Sequence, residues 1–219
     1  MGGHLAAMKK IGIRHTRESA AAYNEIAQTV FFPIYPVIAD QILRRSGIDH
    51  GTCLDVGSGP GHLAIALAAL SDLRVYALDN SRPMQEIAGK NIVKYGMGKR
   101  VVPVFGDVHT IPFDDASLDL VVSRGSFFFW RNLSQGFLEC KRVLKQGGMA
   151  YVGGGFGNAR LRDEIATTMR ERDPSWEEKR KGWYRNCSPD IARSALAAAG
   201  IFEYDIIDDD SGYWISFIH

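Results

Sequence analysis

"CLDVGSGPGHLAIAL", residues 53–67, passes from a short β-prone run into a burst of glycines and then into an uncharged run rich in alanine and leucine. A strand, a tight turn and a buried helix are the simplest reading, because glycine permits backbone conformations and close approaches that a side chain blocks. The loop spacing is Gly57-Ser58-Gly59-Pro60-Gly61, followed by His62. A dinucleotide fingerprint would need its third glycine at position 62, where helix packs on strand. His62 stands there instead, which disfavours a nicotinamide-dependent oxidoreductase. Pro60 suits a tight turn, and Gly61 starts the helix.

Working outward, β-rich runs alternate with helical ones. "TCLDV", "RVYALD", "RVVPVF", "LDLVVS" and "MAYVGG" predict strands, with helices over 61–70, 82–95 and 134–146 between them. Apolar strands separated by helices are the pattern of a parallel sheet covered on both faces. Two amphipathic helices precede this core at 16–30 and 34–46, with Pro33 and Pro36 at the break between them. The chain ends differently. "FEYDIID" and "YWISFI" are separated only by "DDSG", a hairpin signal that makes the last strand antiparallel to its neighbour. The longest connection, residues 156–201, mixes both charge signs with Trp176, Trp183 and Tyr184. It reads either as a solvated helix pair with aromatic anchors or as a partial lid over a substrate. Ser188-Pro189-Asp190 then starts a final helix, with a capping hydroxyl and a first-turn proline, and Gly200 ends it.

The chain's 219 residues, 46% of them hydrophobic, are enough for one sizeable core and predict a single domain. A formal charge of +1 argues against a partner, such as nucleic acid, bound through a phosphate-neutralising surface. No apolar run approaches the ~20 residues of a membrane span. Cys53, Cys140 and Cys187 are odd in number and far apart, so neither a disulfide framework nor a metal site is expected, and a reducing cytoplasm is the natural compartment. The opening "MGGHLAAMKK" reads as an appended leader ahead of a natural start at Met8.

The acids after the later strands narrow the ligand. Asp79 ends the second strand, at the distance expected of a ribose-binding acid. Gly106-Asp107-Val108 follows the third, where an acid can accept a hydrogen bond from an adenine amine while Val108 and Met84 cover the ring. As plain strand-end acids, Asp55 and Asp79 could instead cap loops, and Asp107 could start a turn. Asp119, ahead of the buried "LVVS", reads as structural, and Glu139 and Lys141 as helix-surface charges.

The ordered set "LDVGSGPG", "ALDNSRPM", "GDVHTIPF", "SLDLVVSRG" and "CKRVLKQGG" resembles the class I S-adenosylmethionine-dependent methyltransferases. The likeness is greatest to the small single-domain branch that includes ubiquinone- and menaquinone-type enzymes. It implies a Rossmann-like seven-stranded, mostly parallel sheet with the last strand antiparallel and helices on both faces. The cofactor it implies is S-adenosyl-L-methionine, with S-adenosyl-L-homocysteine as product. The loop of Gly57, Ser58, Gly59 and Gly61 then resembles a cradle for the methionine end, with Asp55 adding negative charge near the ammonium. By the same resemblance Asp79 takes the ribose hydroxyls, Asn80 and Met84 border the adenosine, and Gly106, Asp107 and Val108 serve the adenine. Ser123 borders the methionine moiety by its backbone, and Tyr23 closes over the cofactor from an N-terminal helical region spanning 1–50.

The loop "SRGSFFFWRN" should face the transferred methyl group, because ligands of open α/β sheets sit at the strands' carboxyl ends. Arg124, Phe129 and Trp130 are acceptor-pocket candidates. Arg124 could orient an anion or form a surface salt bridge; the aromatic residues could line an apolar pocket or favour a cationic acceptor. Two of Phe127–Trp130 are expected in the core. His62 and His109 are adjacent to the motifs but read as spectators. The glycine run of "VGGGFGN", residues 152–158, leaves room for a ligand. A small-molecule acceptor is favoured over tRNA or protein, or over a module that binds the cofactor without turning it over.

Overall fold

The computed structural model describes residues 15–219, so the reading of the first ten residues lies outside the described part. Strand β1 (His50–Val56) is followed by α3 (His62–Leu70), β2 (Asp72–Asp79), α4 (Arg82–Lys94) and β3 (Val101–Phe105). Next come β4 (Leu118–Arg124), a 3₁₀ turn (Phe127–Phe129), α5 (Leu133–Val143) and β5 (Leu144–Gly154). Helices α1 (Arg17–Thr29) and α2 (Ile34–Ser46) precede them, and α6 (Ala159–Arg172), α7 (Trp176–Arg185) and α8 (Pro189–Ala198) lead to β6 (Asp205–Asp209) and β7 (Gly212–Ile218).

The seven strands form one sheet in the order β3-β2-β1-β4-β5-β7-β6. The first five are mutually parallel, and β7 runs antiparallel to both β5 and β6. The Rossmann-like sheet and its terminal antiparallel strand therefore stand as expected. Chain order reverses between β1 and β4, which marks the crevice where open α/β sheets bind ligands.

Alternation along the strands splits the core. Cys53, Leu120 and Tyr151 face one apolar layer with Ile38 and Ile42 of α2 and Leu67 of α3. Leu54, Val121 and Val152 face the other, with Phe137 and Cys140 of α5 and Leu196 of α8. Both faces of the central strands are covered, which is why they read as continuous apolar runs. Helix α3 has no exposed residue before Ala69 because it lies between the sheet and the outer helices.

Three expectations need correction. The helix expected over 134–146 stops at Val143, and β5 begins at Leu144, which pairs with Leu118 across a register shift that accommodates the early pairing. Glu139 is buried, not a surface charge. Its Oε1 accepts from Arg142 Nε and its Oε2 from Arg142 Nη2, each at 2.8 Å, and Oε2 also accepts from the Ile111 N–H at 2.8 Å. This ties the loop after β3 to α5. Ser188 occupies the cap of α8 without a side-chain hydrogen bond. Asp119 does join β1 to β4: its Oδ2 accepts from the Thr52 N–H at 2.8 Å, and Lys145 Nζ lies 2.9 Å away. No single described helix is long and apolar enough to cross a membrane.

Candidate functional site

The strand ends at the β1–β4 crossover open into a cavity of about 450 Å³, within the range usual for small-molecule sites. The glycine loop forms its floor. Gly57 has φ +67°, and a Cβ there would collide with the Ser126 side chain, so position 57 requires glycine on both counts. The Ser58 N–H donates to the Leu78 carbonyl at 2.9 Å, and the Gly59 N–H donates to Asp79 Oδ2 at 2.8 Å. Asp79 Oδ1 accepts from the Ser81 N–H at 2.8 Å, which leaves each carboxylate oxygen further acceptor capacity. Burial raises the Asp79 pKa, opposed by those two backbone hydrogen bonds.

Asp55 is the least satisfied acid of the site. It is 1% exposed, and its Oδ2 has no hydrogen-bond partner. Burial pushes its pKa up to about 7, against a hydrogen bond from the Ala64 N–H; the charge of Asp79 raises it further and that of Arg124 lowers it. The Ser58 hydroxyl is also buried and unpartnered. A buried carboxylate oxygen without a donor, beside a bare backbone turn, is a receptor for a cation that brings its own N–H groups.

Most of the sequence-predicted residues meet at this cavity. Tyr23, Asp55, Gly57, Ser58, Gly59, Asp79, Asn80, Met84, Gly106 and Val108 line it, as do Arg124, Phe129 and Trp130. Three do not reach the wall. Gly61 caps α3 with φ +81°, packed on Ala88 of α4. The Asp107 carboxylate is engaged by the His109 ring and N–H and by Arg131 at 3.3 Å. Ser123 is fully buried: its hydroxyl donates to the Val56 carbonyl at 2.8 Å and lies 2.8 Å from Ser126 Oγ, pinning the end of β4 to that of β1. Ser126, three residues on, is the serine at the wall.

The loop after β4 divides its aromatic residues by depth. Phe127 is fully buried away from the cavity, whereas Phe128, Phe129 and Trp130 line it. Trp130 Nε1 donates to Ser126 Oγ at 3.1 Å, which fixes the indole. Arg124 makes no surface salt bridge among the described residues. Its guanidinium donates to the Gly155 carbonyl at 3.1 and 3.3 Å and lies 5.4 Å from the Phe31 ring centroid. Gly154 and Gly155 line the cavity too, but the glycine run has a second reason: side chains at Gly153 and Gly155 would collide with the backbone of Tyr213 and Ser211. His62 is buried against Tyr35 at 5.2 Å, and burial pushes its pKa down to about 4. His109 accepts from the Asn132 N–H at 3.1 Å. Neither ring lines the cavity.

Sequence reasoning offered Trp176, Trp183 and Tyr184 as anchors of a solvated helix pair or as a partial lid, and missed Phe31, Tyr35 and Arg180 of the far wall. Phe31 in the turn before α2, Tyr35 of α2, and Trp176, Arg180, Trp183 and Tyr184 of α7 complete the chamber. The α7 set falls at i, i+4, i+7 and i+8, one face of a helix, so its periodicity was available as a signal. Among the described residues no group of three or more His, Cys, Asp or Glu side chains is arranged to hold a metal ion.

Comparison with known proteins agrees with this geometry. Residues 54–152 match the family model described as a methyltransferase domain. The chain is 29% identical over 170 residues to a malonyl-[acyl-carrier protein] O-methyltransferase of Geobacter sulfurreducens, covering 77% of this chain and 62% of that protein. It is 36% identical over 99 residues to a demethylmenaquinone methyltransferase of Chlorobaculum tepidum, covering 45% of this chain and 38% of that one. The chain thus spans less than two thirds of either relative. A solved structure from Methanococcus maripaludis, named as a candidate S-adenosyl-L-methionine-dependent methyltransferase, is 45% identical with a TM-score of 0.88, covering 94% of this chain and 97% of that one. The unpartnered Asp55 oxygen, the glycine turn and the open acceptor capacity of Asp79 suit the ammonium and ribose of such a cofactor. The chain belongs to the class I S-adenosylmethionine-dependent methyltransferases, and S-adenosyl-L-methionine is its cofactor.

Proposed function

We propose that this protein transfers a methyl group from S-adenosyl-L-methionine to a small-molecule acceptor by in-line displacement. The observation that carries the reading is one continuous cavity joining two unlike ends: a polar floor of Asp55, the glycine loop and Asp79, and an aromatic chamber walled by the loop after β4 and by α7. When bound, the cofactor supplies a methyl on a sulfonium, and transfer to a nucleophilic atom of the acceptor leaves S-adenosyl-L-homocysteine. Asp55 Oδ2 receives the methionine ammonium, and backbone groups near Gly57 and Gly59 hold that end. Asp79 accepts from the ribose hydroxyls. Asn80, Met84, Gly106 and Val108 enclose the adenosine, with Asp107 behind them. Tyr23 and the N-terminal helices cover the cofactor, and residues 156–201 act as a partial lid.

On the acceptor side, Arg124, Phe129 and Trp130 orient the substrate and keep water out. Holding a nucleophile against the methyl carbon is worth roughly 7–11 kcal/mol of barrier without any proton transfer. His62 and His109 stay off the cavity wall, where His15 is the histidine among the described lining residues, and catalysis by positioning needs none of the three as a base. Closure by α7 favours a small acceptor over a folded RNA or a protein chain. The three buried free thiols suit a reducing cytoplasm.

Calorimetric titration of one preparation with S-adenosyl-L-methionine, S-adenosyl-L-homocysteine and NAD tests the cofactor half, repeated with Asp79→Ala. Both sulfur nucleosides should bind and NAD should not. The variant should lose at least about a hundredfold in affinity, since two charge-assisted hydrogen bonds go. Candidate acceptors are then screened with a labelled methyl group. A folded wild-type protein that binds neither sulfur nucleoside would sink the reading.

A further inference from the structure

We propose that the acceptor is an organic anion, a carboxylate on an apolar or aromatic body, and that Arg180 of α7 selects it. The proposal rests on the methyl-transfer reading and goes on to name the substrate class.

The aromatic chamber invites the opposite conclusion, a cationic acceptor held by cation–π contact. Five of its rings, those of Phe31, Tyr35, Phe156, Trp176 and Tyr184, already hold the protein's own guanidiniums. The Arg124 guanidinium carbon lies 5.4, 5.8 and 5.8 Å from the centroids of Phe31, Tyr35 and Phe156. That of Arg180 lies 5.9, 5.4 and 5.8 Å from Phe156, Trp176 and Tyr184. The two guanidiniums thus share the Phe156 ring. Neither has a carboxylate partner among the described residues, whereas the neighbouring Lys179 is paired with Asp173 at 2.7 Å and Lys181 with Glu178 at 2.8 Å. A third cation placed there would meet two like charges in a desolvated pocket.

Arg180 also carries a hydrogen-bonding defect that a ligand would repair. Its Nε is buried and has no hydrogen-bond partner. A buried donor on a charged group costs free energy unless something accepts from it. A carboxylate matches the guanidinium fork with two parallel bonds. The cofactor cannot supply both anions needed. It has one carboxylate, and Arg124 is near enough to Asp55 to favour that acid's ionised form. Even if Arg124 takes the methionine carboxylate, Arg180 of α7 is left for the acceptor. The wall beside Arg180 is aromatic: Phe129 packs edge-on against Trp183 with centroids 5.3 Å apart, and Phe128 tilts on Tyr184 at 4.7 Å.

The test uses the full chain saturated with S-adenosyl-L-homocysteine and titrated with matched probes: benzoate and benzamide, phenylacetate and phenylacetamide, 3-phenylpropionate and its amide, and phenethylamine. At least one acid should bind about tenfold or more tighter than its amide, and phenethylamine should not bind. Arg180→Gln should bring the acid down to the amide's affinity while leaving the S-adenosyl-L-homocysteine Kd within about twofold; Arg180→Lys should keep part of the preference. The proposal is overturned if no acid outbinds its amide, if the amine binds best, or if the acid preference survives Arg180→Gln. If the wild type fails to bind S-adenosyl-L-homocysteine, the cofactor reading falls instead. The acid–amide comparison on the ligand-free protein then still reports on Arg180.

Discussion

Asp55 concentrates the electrostatic cost of the site. Its folded pKa of about 7 lies above the ordinary aspartate value of ~3.9. The folded chain therefore holds a proton that the unfolded chain gives up between those values. Stability from this residue is fullest below about pH 4 and falls as pH rises to 7. Asp55→Asn removes the titration, so the variant's stability relative to wild type should climb between pH 4 and 7 and then level off. The climb should be on the order of a few kcal/mol, read from urea melts at each pH. Binding reverses the sign. A bound ammonium favours the ionised carboxylate, so cofactor binding near pH 6 should release a proton from Asp55 and tighten toward pH 7. Calorimetry in two buffers of different ionisation enthalpy measures that proton, and Asp55→Asn should abolish its release. No residue pattern announces such a pKa. "LDVG" shows an acid at a strand end, but its burial and the absence of a donor on Oδ2 arise only when β1, α3 and β4 close around it.

Elements were legible where local chemistry and tertiary packing agree. Helix α2 begins where its prolines say it should and ends at Ser46 with Gly47 as its left-handed cap, and α1 is capped by Thr16, whose hydroxyl accepts from the Ser19 N–H at 3.2 Å. The β5 start was not legible, because "LKQGG" is compatible with a helix end until Leu118 is available as a pairing partner. Glu139 was misread for a similar reason: Arg142 is its i,i+3 neighbour on α5, but the Ile111 N–H that engages it comes from a distant loop that sequence spacing does not bring near. That contact makes a prediction about the element it anchors. Glu139→Ala leaves the Ile111 N–H without its acceptor and takes one of two carboxylates from the Arg142 guanidinium, which keeps Asp115, and should cost about 2 kcal/mol of stability. Because the anchored loop carries Val108 of the cavity wall, the variant should also bind S-adenosyl-L-homocysteine more weakly than a surface control such as Glu203→Ala. Equal binding by the two variants would separate the α5 anchor from the site.

At the scale of the molecule, the sheet order explains why the site draws on so much of the chain. The carboxyl ends of β1 to β5 contribute Asp55, Asp79, Gly106, Arg124 and Gly154, and the outer helices contribute only their inner faces. The sheet-end half was readable from motif order, because each motif follows a strand and parallel topology gathers those ends. The α7 half was readable only as one of two alternatives, a solvated helix pair or a partial lid, because its position depends on how a long connection folds back over the sheet. The two halves should therefore differ in how they respond to ligand. The floor is built into the core, with Asp55 buried at 1% exposure. Helix α7 instead reaches the body through Trp176, Trp183 and Tyr184 and is otherwise largely exposed. Regions with few buried contacts open locally at low free energy, while core strands open only with global unfolding. Without ligand, amides of α7 should exchange hydrogen orders of magnitude faster than those of β1 and β4. S-adenosyl-L-homocysteine at about 100 times its Kd should slow the core strands by up to the roughly 2.7 kcal/mol of binding linkage. It should protect α7 only where the helix closes on the occupied cavity. If α7 exchanges as slowly as β4 in the empty protein, it is a fixed wall, and the acceptor must enter by another route. If it exchanges fast and slows further when a carboxylate probe is added to the cofactor-saturated chain, α7 is the element that moves to admit the acceptor.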